Sequence, residues 1–379
     1  MKRLLFMPLA LLAVAAGGAI QVAQDVCGPF TDVSPAICPF VLEMYYLGIT
    51  AGTSPTTYSP NNPVTRGQAA VFVSKGVNQA LARSSRRAAL GQWWTTTPHY
   101  DLGIGTTGDA LGPVTCDGAD LWVGAGSGGI HRVRASDGRI VESWPGAVGG
   151  GAKISAMGRV FVARASDPGE LYMIDPTTPP GSAVLVADNL GFEPQNIAFD
   201  GEKLWTANRD GSVSLIFPSS APLWNYTNVD TGLAGANGIA FDGQNMWITE
   251  PSTGKIHKMT SKGTVQSSLT IGDGIGAVMF DGENLWITTC CGVSVVRRSD
   301  GSSYSFLQDP LLTNPSFMAF DGQRVMVLSG NSDGATLWNA ATLQLIQAMS
   351  LGTGTNPQGV ASDGINFWIT LGNGQLARF

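Results

Sequence analysis

The stretch Ile239-Ala-Phe-Asp-Gly243-Gln-Asn-Met246-Trp247 decides the fold, because the chain writes it several times over. It reads apolar, any residue, apolar, Asp, Gly, two further residues, apolar, Trp. Close copies are Ile197-Ala-Phe-Asp-Gly201 with Leu204-Trp205 and Val278-Met-Phe-Asp-Gly282 with Leu285-Trp286. Met318-Ala-Phe-Asp-Gly322 with Val325-Met326 and Val360-Ala-Ser-Asp-Gly364 with Phe367-Trp368 continue the series. Two looser copies come first: Val114-Thr-Cys-Asp-Gly118 with Leu121-Trp122, and Ile154-Ser-Ala-Met-Gly158 with Val160-Phe161. The turn glycines fall at 118, 158, 201, 243, 282, 322 and 364, so successive copies lie 40, 43, 42, 39, 40 and 42 residues apart.

Each copy has a physical reading. Alternating apolar residues make a strand with one face to bury. Asp-Gly supplies the positive φ angles of a tight hairpin. The next strand carries Trp, large enough to fill the space between sheets. A second glycine turn follows (Asp210-Gly211, Thr253-Gly254), then a third strand (Ser212 to Phe217, Lys255 to Met259, Val293 to Arg297) and a fourth. Four antiparallel strands per unit, with a turn every eight to twelve residues or so, predict an all-β, seven-bladed β-propeller over 93–379 and exclude a helical solenoid. After Trp368 only one more strand fits, Gly374 to Phe379. Trp93 to Gly103 is expected to supply the missing strand and close the ring, hiding two sheet edges.

Composition agrees. Of 379 residues only 13 % are charged, while 44 % are hydrophobic and Gly (49) and Trp (10) are plentiful, which excludes a disordered chain. The net charge of −6 provides no basic field for nucleic acid. Arg83, Arg86 and Arg87 form the one basic cluster, in an expected linker over 81–92.

The chain opens with Lys2-Arg3, an apolar run of 13 residues from Leu4 to Ala16, and then Gly17, Gly18 and Ala19. This pattern predicts a secretory signal peptide over 1–19. The run is shorter than the roughly 20 residues a spanning helix needs, and no transmembrane segment is expected after signal removal. The destination is outside the cytoplasm: secreted, at the cell envelope or cell surface. Five cysteines fit an oxidising compartment. Cys27 and Cys38 can close a small loop, while adjacent Cys290 and Cys291 form either a vicinal disulfide or two small loop residues. Cys116 is left over.

Residues 25–80 form a separate module. Phe30-Thr-Asp-Val33 is followed by Leu47-Gly-Ile-Thr50, Tyr58-Ser-Pro-Asn-Asn-Pro63 and Val64-Thr-Arg-Gly-Gln68. Phe40, Val41, Met44, Tyr45 and Leu47 are spaced as one face of a short helix. Thr65 with Gln68 makes a capping box for a second, whose apolar residues are Ala69, Val71, Phe72 and Val73. The order of these blocks resembles the S-layer homology (SLH) motif, and region 112–379 is similar to extracytoplasmic propellers of the NHL and streptogramin-lyase type. The first resemblance implies attachment to a cell-wall or envelope polysaccharide, with Thr65, Arg66 and Asp32 as candidate contacts. Arg66 is read equally well as a first-turn residue covering its helix. Gln68 stands where the motif more often has Glu, and only one motif is visible where three usually combine. The second resemblance specifies fold better than function.

No catalytic constellation, metal site or cofactor site is expected. His99, His131 and His257 are scattered without metal-ligand spacing, and Glu250, the acidic group best placed for lyase chemistry, has no evident histidine partner. The repeated Asp-Gly pairs are read as turns rather than a calcium array, and the Trp residues as core. Propellers bind ligands where first strands start and second-to-third strand loops converge. By register that face carries Asn196, Asn208, Arg209, Asn237, Glu250, Asn331, Asp333, Gln358 and Asn373, an amide-rich set suited to a protein or carbohydrate ligand. The reading is therefore an envelope-bound binding or scaffold protein, with an extracytoplasmic lyase or hydrolase as the alternative.

Overall fold

The computed structural model describes residues 27, 29–34, 37–38, 41, 44–45, 49–73 and 110–379, less 127, 136–137, 146–149, 300 and 331. The export segment 1–19, the linker 81–92 with its arginines, the closing segment Trp93 to Gly103, His99, Phe40, Leu47 and Asn331 lie outside the described residues. The chain divides into two compact units, Met1–Ala82 and Arg83–Phe379.

The second unit is a seven-bladed β-propeller. Its described strands form seven antiparallel sheets spanning 111–144, 152–190, 194–229, 239–270, 278–307, 315–350 and 357–378, here blades 1 to 7. Strand order within each sheet follows chain order. Blades 1 to 6 have four strands, and blade 7 has three among the described residues. The first strands line up around the axis, and Pro357–Ser362 of blade 7 returns to lie against Leu111–Cys116 of blade 1. Seven blades in a closed ring require seven interfaces, and each is filled by its own apolar cluster. At the seam, Leu111, Val114 and Leu121 pack on Ala361, Trp368 and Leu376.

The repeated Trp is the wedge. Trp122, Trp205, Trp247, Trp286 and Trp368 are all buried, and each faces the blade that follows. Burying an indole requires a partner for its N–H, and the turn Asp provides it. Nε1 donates to the Asp five residues earlier at 2.7–2.8 Å, from Trp122 to Asp117 through Trp368 to Asp363. The other Asp oxygen accepts two backbone N–H groups of the turn, as Asp200 does from Glu202 and Lys203.

This corrects the expectation that Asp and Gly both take positive φ. Only the glycine does, for instance Gly201 at 95° and Gly243 at 87°, while the Asp is an acceptor hub. Blade 2 lacks both the turn Asp and the Trp, with Met157 and Phe161 in their places. Its Met157-Gly158 pair takes positive φ at both positions (53° and 68°) and makes a two-residue turn between Ala156 and Arg159.

In the first unit, Phe30 is fully buried at the centre of a small cluster with Cys27, Val33 and Val41. Tyr45 meets it edge-on at 5.3 Å between ring centroids, and Tyr58 lies at 5.5 Å. Cys38, Val41, Met44 and Tyr45 are helical, and a second helix runs over 66–73. A disulfide joins Cys27 to Cys38. The capping box forms: Gln68 N–H donates to Thr65 Oγ1 at 3.2 Å and Thr65 N–H to Gln68 Oε1 at 2.9 Å. Gly52 has φ of 78°, and a Cβ there would lie 2.5 Å from the Phe30 ring.

Candidate functional site

Several innermost strands of the propeller are entered through small or amide residues, such as Gly151-Ala152, Gln195-Asn196, Asn237-Gly238 and Asn314-Pro-Ser316. These starts converge on one mouth of the ring and enclose a cavity of about 620 Å³. Glycine lets them come close: a Cβ at Gly238 would sit 2.5 Å from the Gly276 carbonyl oxygen of the next blade. Because neighbouring strands are antiparallel, the second-to-third strand loops emerge at this mouth and the Asp-Gly turns at the opposite one.

The structure sorts the expected face residues. Asn196 and Asn237 line the cavity. Asn208 is fully buried instead, donating through Nδ2 to Ser212 and Ser214 at 3.0 Å each. Arg209 is exposed and paired to Glu193 at 2.7 Å. Asp333 holds the 354–356 loop by accepting the N–H groups of Gly354 and Asn356 at 2.6 Å each. Gln358 donates to the Asn356 carbonyl at 3.2 Å, and Asn373 to Gln375 at 2.9 Å.

Glu250 differs from expectation in having a histidine partner. His257 Nε2 lies 3.0 Å from Glu250 Oε2, and both residues are buried. Antiparallel pairing puts Ile248 opposite His257, so Glu250, two residues on, shares its face. Glu250 also accepts the Ala234 N–H at 2.7 Å and the Thr253 hydroxyl. Burial alone would raise its pKa, but the Thr253, Ala234 and His257 donors outweigh it and hold the carboxyl below the usual range. His257 Nδ1 meets Ser268 Oγ at 2.8 Å, and His131 meets Ser143 at 2.9 Å in the same cross-strand position of blade 1. The pairing therefore recurs as a wall feature, and neither Glu250 nor His257 lines the cavity.

The cavity also has residues that the sequence did not single out. Gln195, Asn314 and Ser316 add polar groups to its wall, and Lys153 is the one charged side chain among the described lining residues. Lys153 Nζ donates to the Gly151 carbonyl at 2.8 Å. The residue is half-buried, and enclosure of its ammonium by the cavity wall pushes its pKa down to about 7.

In the first unit, Asp32 accepts the N–H groups of Tyr58 and Ser59 at 2.8 and 2.7 Å, tying the start of the module to its loop. The Tyr58 N–H is the main cause of its lowered pKa. Thr65 is occupied in the capping box, and Arg66 is exposed. The Cys290 and Cys291 sulfurs lie 2.7 Å apart in an exposed turn of blade 5, and the thiol of Cys291 raises the pKa of Cys290. Burial pushes Cys116 up to about 11. Among the described residues no cluster of three or more His, Cys, Asp or Glu side chains could hold a metal, and no helix is long and apolar enough to cross a membrane.

Residues 29–70 match the S-layer homology domain family model. No curated protein sequence matches the chain. Among solved structures, the fold is similar to a streptogramin B lyase at a TM-score of 0.60 and 14 % identity, covering 74 % of this chain and 96 % of that one. The WD40 β-propeller domain of Doa1 is similar at a TM-score of 0.60 and 10 % identity, covering 75 % and 97 %. A catalytically inactive histidine-to-alanine form of virginiamycin B lyase from Staphylococcus aureus, with quinupristin, is similar at 0.59 and 14 %, covering 74 % and 98 %. The chain thus joins an S-layer homology segment to a seven-bladed propeller of the shape these proteins share.

Proposed function

We propose that this is an exported cell-envelope protein whose S-layer homology segment attaches to a cell-wall or envelope polysaccharide. The propeller then offers its cavity mouth as a binding or scaffold surface for a protein or carbohydrate ligand. The observation that carries the reading is the union, in one chain, of the match at 29–70 with a ring whose mouth is lined by Gln195, Asn196, Asn237, Asn314 and Ser316. Amides and hydroxyls of this kind pair with the hydroxyls of a sugar or the main chain of a peptide. Sedimentation with native cell-wall material tests it. The full protein should pellet and a form lacking 25–80 should stay in solution; equal pelleting of both would overturn the attachment role.

The second reading, an extracytoplasmic lyase or hydrolase, draws on the likeness to the two lyases. Against it, the Glu250–His257 pair is buried in the blade wall with its polar atoms engaged. Incubation with a streptogramin B antibiotic and a panel of ester and glycoside substrates is expected to give no turnover. Sustained turnover would replace the binding role with catalysis.

A further inference from the structure

We infer that the ring has a second binding site, at the mouth opposite the amide-lined cavity, between blades 2 and 3. It takes a small aromatic ligand whose ring fills the space between the blades and whose neutral carbonyl oxygen accepts a hydrogen bond from Arg159.

Blade 2 departs furthest from the repeat, and its departures meet at one place. Phe161 stands where five blades have Trp, so the wedge facing blade 3 is smaller. Met157 stands where the turn Asp would be and offers no acceptor. Beside them lies a cavity of about 670 Å³, walled by Met157, Phe161, Met173, Val184 and Val186 of blade 2 and by Trp224 of blade 3. The Phe161 and Trp224 rings stand 5.5 Å apart between centroids. Between blades 3 and 4, where Asp200 and Trp205 are in place, the corresponding recess is about 360 Å³ and is bordered by Gln244, Asn245, Thr260, Ser261 and Gln266. Loss of the wedge and of the turn carboxylate thus goes with a larger and more apolar space, of a size that suits a small molecule. Met157 and Val184 in its wall are exposed, so the space is open rather than sealed.

The donor of an Asp clamp survives in blade 2 without its acceptor. Arg159 stands two residues before Phe161, as Arg324 stands two before Met326 in blade 6, where its Nε–H donates to the turn Asp321 at 2.7 Å. Arg159 lines the cavity, and its Nε is buried with no hydrogen-bond partner among the described residues. Its charge is already answered, since Nη2 lies 3.2 Å from Asp175. An acceptor is missing here, not a counter-ion, which favours a neutral carbonyl over a carboxylate. A buried N–H left unpaired is costly. A ligand oxygen placed against it removes that cost, while the attached ring covers the apolar wall.

Fluorescence titration of the full protein tests the inference, using prodan, a dimethylaminonaphthalene that carries a propionyl carbonyl, and its parent dimethylaminonaphthalene without the carbonyl. Prodan should bind saturably with blue-shifted emission, and the parent about fivefold more weakly, as one net hydrogen bond dictates. Phe161→Trp refills the space and should abolish binding of both dyes while keeping a cooperative melt. Arg159→Met removes the donor without closing the space, so prodan should fall to the affinity of its parent, which itself stays unchanged. No saturable binding of prodan, equal affinity for the two dyes, unchanged binding in Phe161→Trp, or a carbonyl preference that survives in Arg159→Met would each overturn it.

Discussion

Arg324 donates its Nε–H to Asp321 Oδ2 at 2.7 Å, occupying the place where five other blades set an indole N–H against the turn Asp. Blade 6 has Met326 where those blades have Trp, and the arginine two residues earlier supplies the missing donor. Both side chains are almost fully buried. Removing the guanidinium leaves the buried Asp321 carboxylate without its counter-charge, with only Oδ1 still accepting the Gln323 and residue-324 N–H groups. Arg324→Asn is therefore expected to cost about 3 kcal/mol in urea unfolding. Adding Met326→Trp should recover most of that loss by rebuilding the arrangement of blade 4, where Asn245 precedes Met246-Trp247. A double variant no more stable than the single one would refute the equivalence.

The clamp of blade 4 sets an acid limit. Burial raises the pKa of Asp242, but the Trp247 indole and the Asn245 and Gln244 N–H groups outweigh it, and the net shift is downward. A carboxyl with a depressed native pKa contributes stability fully above its ordinary value, near 4, and loses it as the pH falls through the native value. Asp242→Asn should flatten the acid limb of a stability-against-pH curve below about pH 4, which thermal melts in a buffer series would reveal.

Lys153 titrates with the opposite consequence. Its native pKa of about 7 lies below the ordinary lysine value, so the unfolded chain binds the extra proton between the two values and stability rises with pH across that window. The destabilisation is complete below about pH 7 and is relieved as the pH approaches 10. Lys153→Met is expected to raise the melting temperature at about pH 6 and to leave it nearly unchanged near pH 10. An equal gain at both would show that the amine is not shifted.

The propeller was legible because its information is local and repeated: Phe-Asp-Gly and Trp recur at a nearly constant interval, and each copy is a hairpin in itself. The Asp-to-Trp bond spans five residues within one hairpin and was open to the same reading, but Asp-Gly carries such strong turn chemistry that the Asp side chain is easily spent on the turn alone. The Glu250–His257 pair needed the strand register, which places residues seven apart on one face. Lys153 was invisible for another reason. It stands just before the most degenerate copy, Ile154-Ser-Ala-Met-Gly158, and acquires meaning only when strand starts from distant parts of the chain meet around one axis.

Gly52 tests the first unit. With φ of 78° and the Phe30 ring 2.5 Å from where a Cβ would be, Gly52→Ala meets both backbone strain and a clash. The expected cost exceeds about 2 kcal/mol and falls on the module alone, leaving the propeller transition in place. Calorimetry on the full protein should show one transition lowered, with wall sedimentation lost in parallel.

Cys290 and Cys291 face each other at 2.7 Å between sulfurs in an exposed turn. Mild oxidation should remove the mass of two hydrogens from the peptide containing them, and reductant should restore it. No change in mass would leave the pair as two small turn residues.

The Asp–Trp clamps and the cavity occupy opposite mouths of the ring. Substitutions among the mouth residues Asn196, Asn237, Asn314 and Ser316 therefore leave every clamp untouched. The lining of one rim can change while the other goes on fastening turn to strand within each clamped blade, so the two ends of the ring are free to diverge at different rates.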